Sequence, residues 1–450
     1  MKPHLRMSIS SGLQLSDLND YLQPSTACVI PTDNQVSLSL DDCLACSGCI
    51  TSAESMLVTM QTGDELLEKL PLYDERYCIL STQSVLAIAK HFNLDVQDTW
   101  SKLRTFINIH LKSMVKDINE GRMLSLVKTA EELVDKMNQN QTNSKELPKS
   151  KQSDEQLKQH FESINIPMFV TACPGWVCYV EKTHPFLLPL LSKTKSPQQL
   201  SGLLCKSRSK DSNRAFTFAV MPCYDKKLEA ARYVHSFENV KDVDLVITTA
   251  ELLKLIYSKQ VDFLSLPNAQ VTLLKRTIGA GSGGYSEFVF LYVLNKVYNI
   301  PITHLQESTT FNQYQIQVIE KRGKDLREFQ LLENNNIVFK TVAAFGFRHI
   351  QNIVRTIKRK GTSDAHFYEV MACPGGCLNG GGQINIVGEK TKLSPLESKA
   401  WIKEMVLKYD EMLSTDIIEP KITFQLDRLH TEFMTIKERE STAVNVVNSW

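Results

Sequence analysis

Residues 372–383 read Ala372-Cys373-Pro374-Gly375-Gly376-Cys377-Leu378-Asn379-Gly380-Gly381-Gly382-Gln383. The run Tyr368–Met371 just before them is short and apolar, as a buried strand would be. Working outward, two more segments share this plan. Thr171-Ala172-Cys173-Pro174-Gly175-Trp176 follows the run Pro167–Thr171, and Met221-Pro222-Cys223-Tyr224-Asp225-Lys226-Lys227-Leu228-Glu229 follows Phe216–Met221. In each, a strand-like run leads to a cysteine beside a proline. Val243–Thr248 and Asn336–Ala344 are further strand-like runs, and helical patterns alternate with them. This alternation predicts an α/β fold with mainly parallel sheets flanked by helices. Ligands of such sheets sit at the carboxyl ends of the strands. Cys173, Cys223, Cys373 and Cys377 fall there.

Proline restricts the backbone at each of these turns. The glycines at 375, 376 and 380–382 would let backbone N–H groups approach a metal cluster and hydrogen-bond its sulfurs. The competing reading is three unrelated turns with structural glycines.

A second set of cysteines lies near the N-terminus. Residues 43–49 read Cys43-Leu44-Ala45-Cys46-Ser47-Gly48-Cys49. Three thiolates at two-residue spacing can wrap one face of a 4Fe–4S cube, whereas structural zinc takes ligands in separated pairs. The cube needs a fourth ligand. Cys28 is the nearest candidate; Cys78 competes, but Tyr77 and Ile79 beside it suggest a buried strand thiol.

Composition agrees with free, metal-binding thiols. The chain has 450 residues and 11 cysteines, an odd number that does not suggest a disulfide framework. The N-terminus has no apolar core of the length a secretory signal needs, and no apolar run is long enough for a membrane span. The net charge of +1 argues against a basic surface that would capture nucleic acid.

Ser11–Leu22 has the spacing of a short helix, interrupted at Pro24. Tyr77–Leu80 reads as a buried strand, Ser84–Phe92 as the helix after it, and Leu103–Met137 as largely helical. Asn138–Asp154 is polar and predicts an exposed loop.

Taken together, the phrases DDCLACSGCITSAE, TACPGW, SPQQ, MPCYDKKLEA, GSGGY, FGFRHIQN and ACPGGCLNGGGQI closely resemble the eukaryotic branch of the iron-only hydrogenase superfamily. That branch comprises the cytosolic iron–sulfur protein assembly factors, also called nuclear prelamin A recognition factor-like proteins. The resemblance implies two 4Fe–4S clusters, one on Cys28, Cys43, Cys46 and Cys49 and one on Cys173, Cys223, Cys373 and Cys377. It implies a Cys-rich N-terminal region at 1–72, a first α/β lobe at 73–230, a second at 231–430 and a tail at 431–450. The implied role is a carrier or adaptor that links the scaffold building the cluster to the targeting complex that matures client proteins. The implied location is cytoplasmic, with the nucleus a further site. The alternatives are the sister prelamin A-binding branch and an iron-only hydrogenase.

Hydrogen chemistry is disfavoured at one position. True iron-only hydrogenases carry a proton-relaying cysteine just before the ligand cysteine of the segment resembling TACPGW. Here that residue is Ala172, whose methyl group cannot carry a proton. Lys226 occurs where those enzymes place a lysine beside their dinuclear centre, so it does not discriminate.

Other signals read more plainly. Gly279–Gly284 fits G-x-G-x-x-G, but Lys275-Arg276-Thr277 is a poor strand end, and a close-packed turn opening a helix at Tyr285–Tyr298 is expected instead. Lys358-Arg359-Lys360 suits a helix C-terminus. His349 and His366 have no spacing partner and read as satisfied or surface histidines. Trp450, an aromatic beside a free carboxylate, reads as a docking handle. In the resembling family a C-terminal aromatic engages the targeting complex.

Overall fold

The computed structural model describes residues 52–140, 167–232, 236–237, 240–269, 272–278, 281–321, 325–384, 395–413 and 426–433. Cys28, Cys43, Cys46, Cys49, Trp450, the helix expected at Ser11–Leu22 and most of the loop expected at 138–154 lie outside them.

Strands are numbered in chain order. The first sheet contains β1 (Glu75–Leu80), β2 (Met114–Asp117), β4 (Ala215–Met221) and β7 (Leu245–Thr248). Its order is β2-β1-β4-β7 and every pairing is parallel. Parallel sheets covered on both faces need apolar side chains at nearly every position. Accordingly β4 reads AFTFAVM and is buried throughout. Alternate residues feed two cores. Cys78, Leu80, Phe216, Phe218 and Val220 face one, with the helices Thr82–Phe92 and Val96–His110. Tyr77, Ile79, Ala215, Ala219 and Met221 face the other. Cys78 is thus a fully buried strand thiol.

The second sheet contains β3 (Met168–Val170), β8 (Ser308–Phe311), β9 (Tyr314–Lys321), β10 (Leu326–Glu333), β11 (Asn336–Phe345) and β12 (Phe367–Met371). Its order is β3-β12-β11-β10-β9-β8. A mainly parallel sheet was expected, and the structure corrects this to a mixed one. β3, β12 and β11 run parallel, while β11, β10, β9 and β8 form an antiparallel meander. The cause is local. Asn312-Gln313 joins β8 to β9, and Asn334-Asn335 joins β10 to β11, with φ of 51° at Asn312, 50° at Asn334 and 64° at Asn335. Two-residue turns of this hand connect antiparallel neighbours only. Separately, β5 (Ser236–Phe237) and β6 (Val240–Lys241) make a two-stranded antiparallel pair.

Leu103–Met137 is largely helical, as expected. It is two helices, Val96–His110 and Asn119–Asn140, separated by Leu111, Lys112 at φ 47° and strand β2. Sheet membership crosses the chain: β3 pairs in the second sheet although it precedes β4 of the first.

The turn at Gly284 opens the helix Tyr285–Lys296, as expected. The basic run Lys358–Lys360 closes the helix Phe347–Lys360, whose C-cap Gly361 has φ 67°. The His366 ring accepts from the Lys340 amide at 3.2 Å through Nδ1 and packs on Phe339. No helix among the described residues is long and apolar enough to cross a membrane.

Candidate metal centre at the strand ends

Each cysteine of the second set follows a strand. β3 leads through Thr171 to Cys173, which precedes the helix Pro174–Thr183 with Pro174 in its first turn. β4 leads to Cys223, then to the helix Asp225–Ala231. β12 leads to Cys373; Gly375 and Gly376, at φ 73° and 71°, then turn the chain so that Cys377 enters a short 3-10 turn.

Hydrogen bonds tie the three loops together. The Thr171 hydroxyl donates to the Val370 carbonyl of β12 at 2.6 Å and accepts from the Cys173 amide at 2.9 Å. The Gly382 amide donates to the Pro222 carbonyl at 2.9 Å. A Cβ on Gly380 would lie 2.2 Å from that carbonyl oxygen, and one on Gly382 would lie 3.1 Å from the Cys223 Cα. These two glycines therefore let one cysteine loop close on another.

The four thiols are near enough to act on one another electrostatically. Burial, then Asp225 and Cys377, push the Cys173 thiol up to about 12. Burial pushes Cys223 well above the ordinary thiol range, with Asp225, Cys173, Cys377 and Cys373 adding to it. Cys373 is raised by burial, Cys173 and Cys377. Cys377 is raised by burial and partly relieved by Lys226 and Arg122. These thiols resist ionisation unless a cation joins them, and a coordinated metal deprotonates a thiol outright. Four sulfur donors fit an iron–sulfur cluster. Among the described residues no His, Cys, Asp or Glu group closes on a single-ion site.

The surroundings of Lys226 are specific. Its ammonium pairs with the Glu229 carboxylate at 2.7 Å, and both side chains are buried. Glu229 also accepts from the Ser196 hydroxyl and from Gln199 Nε2. The SPQQ phrase thus braces the helix that follows Cys223. Beside Cys173, a cavity of about 30 Å³ is lined by Ala172, Glu229, Arg232, Thr431 and Phe433 among others.

Three residues not foreseen from the sequence frame the site. Glu369 of β12 accepts from the Gly284 and Ser286 amides, both at 2.8 Å. This carboxylate occupies the helix N-terminus that a dinucleotide phosphate would need. Arg122 donates to the Gly283 carbonyl through Nε at 3.0 Å and Nη2 at 2.6 Å. Ser282 packs against Gly376. GSGGY carried a signal for Ser282, whereas Arg122 sits in an unremarkable helical pattern.

Residues 74–381 match the family described as the iron only hydrogenase large subunit, C-terminal domain. The chain is 35% identical over 443 residues to the cytosolic Fe-S cluster assembly factor narfl of Xenopus tropicalis, covering 86% of each. It is 34% identical over 435 residues to cytosolic iron-sulfur assembly component 3 of Rattus norvegicus, covering 83% of this chain and 84% of that one. The chain belongs to the iron-only hydrogenase-like family of cytosolic iron–sulfur cluster assembly factors. Among solved structures, an FeFe-hydrogenase studied for oxygen inactivation superposes with a TM-score of 0.59 at 20% identity, over 83% of this chain and 98% of that one. An apo FeFe-hydrogenase from Chlamydomonas reinhardtii gives 0.57 at 21%, with the same coverage. At such identity these two share the fold. The relatives that carry the sequence similarity are named as assembly factors.

Proposed function

We propose that this assembly factor holds two 4Fe–4S clusters and works as a carrier or adaptor in the cytosol, between the scaffold that builds a cluster and the complex that inserts it. The observation that carries the reading is that Cys173, Cys223, Cys373 and Cys377 stand at the ends of β3, β4 and β12 on loops hydrogen-bonded to one another, with Cys173 buried and the other three half-buried. Those four residues would hold the second cluster; Cys28, Cys43, Cys46 and Cys49 would hold the first. The bound cubes supply iron, sulfide and one-electron chemistry. The chain's own part is to shield the second cube by burial, neutralise charge with Lys226 and Arg122, and fix three loops in register. Ala172 supports a non-hydrogenase reading, because a methyl group at that place offers no proton relay. Trp450 would dock the targeting complex.

Anaerobic iron and sulfide analysis with EPR tests the cluster count. About eight irons per chain are expected. Alanine at Cys28 or at Cys377 should each remove about four. Full iron retention in C377A rejects the ligand assignment. A pull-down of the targeting complex with and without Trp450 tests the adaptor role, and equal recovery rejects it. Hydrogen evolution by the reconstituted protein would overturn the reading of Ala172.

A further inference from the structure

The GSGGY loop is not needed to bind a nucleotide, yet every part of it is held in place. The Gly281 carbonyl accepts from Gln83 Nε2. The Gly283 carbonyl is gripped by Arg122, and the Gly284 and Ser286 amides by Glu369. Gly283 and Gly284 have φ of 67° and 80°, and a Cβ on Gly283 would fall 1.9 Å from Glu369 Oε1. All of these anchors flank Ser282, which is 2% exposed. Its hydroxyl points at the CPGGC turn: a Cβ on Gly376 would lie 1.8 Å from Ser282 Oγ. Gly376 therefore leaves open the space that the hydroxyl fills, immediately before Cys377. That position sets the buried Ser282 hydroxyl beside the Cys377 side chain, within reach of its sulfur.

We propose that Ser282 donates its hydroxyl hydrogen bond to the Cys377 sulfur of the second cluster, and that the loop around it is built to aim that donor and raise the cluster's reduction potential. A hydrogen bond to a ligating sulfur withdraws negative charge and stabilises the reduced, more negative cube. Ser282 acts through Cys377 and is a positioning residue for the redox poise of the cluster. The inference rests on the reading of Cys377 as a ligand.

The test uses the full chain, reconstituted anaerobically, as parent, S282A and S282T. Iron is counted first, then the midpoint of the second cluster is found by EPR-monitored titration. S282A should keep about eight irons with a more negative midpoint, and S282T should restore the parent value. Resonance Raman of the oxidised protein gives a readout that needs no reduction: the Fe–S(Cys) stretch should rise in S282A. Full iron with unchanged midpoint and stretch in S282A overturns the proposal. If S282A loses iron, recovery of iron and midpoint in S282T supports it, and failure of S282T overturns it. Full iron in C377A would instead reject the ligand reading beneath it.

Discussion

The Gly382 amide donates to the Pro222 carbonyl at 2.9 Å, so the loop carrying Cys373 and Cys377 is fastened to the residue just before Cys223. Loops fastened to each other in this way would present the proposed ligands of one cluster already in register, which lowers the ordering cost of binding. The contact leaves no room for a side chain at Gly380, whose Cβ would sit 2.2 Å from the same carbonyl oxygen. G380A should therefore force the two loops apart. A cost of about 1–3 kcal/mol in chemical denaturation is expected, in line with other overpacked sites. Iron at the second site should fall while the first site keeps its own. Parent-like iron and stability would show that the loops can relax without losing register.

Thr171 fastens the third loop in a different way. Its hydroxyl bridges the Cys173 amide and the Val370 carbonyl. T171V keeps the shape and removes both bonds, leaving two backbone groups without that partner. The expected cost is about 1–3 kcal/mol. Loss of iron to a chelator should be faster from the second cluster, and an unchanged rate would mean that the bridge does not position Cys173.

The Lys226–Glu229 pair behaves differently, because its contribution depends on both partners being present. Both side chains are 8% exposed and the pair closes at 2.7 Å. E229Q leaves the buried ammonium without its carboxylate, which typically costs about 3–5 kcal/mol. The double variant K226M/E229L removes both charges and should recover most of that loss in urea denaturation. A single-variant cost below about 1 kcal/mol would show that water reaches Lys226 and screens it.

The contrast between what the sequence disclosed and what it hid is physical. Tyr77–Leu80, Phe216–Met221 and Tyr368–Met371 were legible because strands buried on both faces must be continuously apolar. The cysteine loops were legible because cysteine, proline and glycine each restrict what a turn can be. Strand β2 was not, since Met114–Asp117 is a four-residue edge strand whose residues fit a helical period equally well. The antiparallel meander was overlooked although Asn312 and Asn334-Asn335 carried its turn chemistry, because β8 and β9 are only partly buried and lack a strong apolar run. Glu369 lies inside the apolar run FYEVM, where its alignment with the Gly284 and Ser286 amides depends on tertiary packing that no local pattern encodes.

Asp117, at the end of β2, gives a pH signature for the first sheet. Burial is the largest influence on it and raises it from the ordinary 3.8 to about 6, against hydrogen bonds from the Asn119 amide and side chain. The native state therefore binds this proton more tightly than the unfolded chain does. By linkage, the contribution of Asp117 to stability is greatest below the unfolded value. It declines as pH rises through the interval up to about 6 and is level above that. D117N has no such proton to lose. The stability of the parent minus that of D117N should consequently fall between about pH 4 and pH 6 and stay constant from about pH 7 upward. Denaturant titrations of both proteins across that range measure the difference directly. A difference that rises with pH would mean that the Asn119 hydrogen bonds outweigh burial and that Asp117 is ionised throughout.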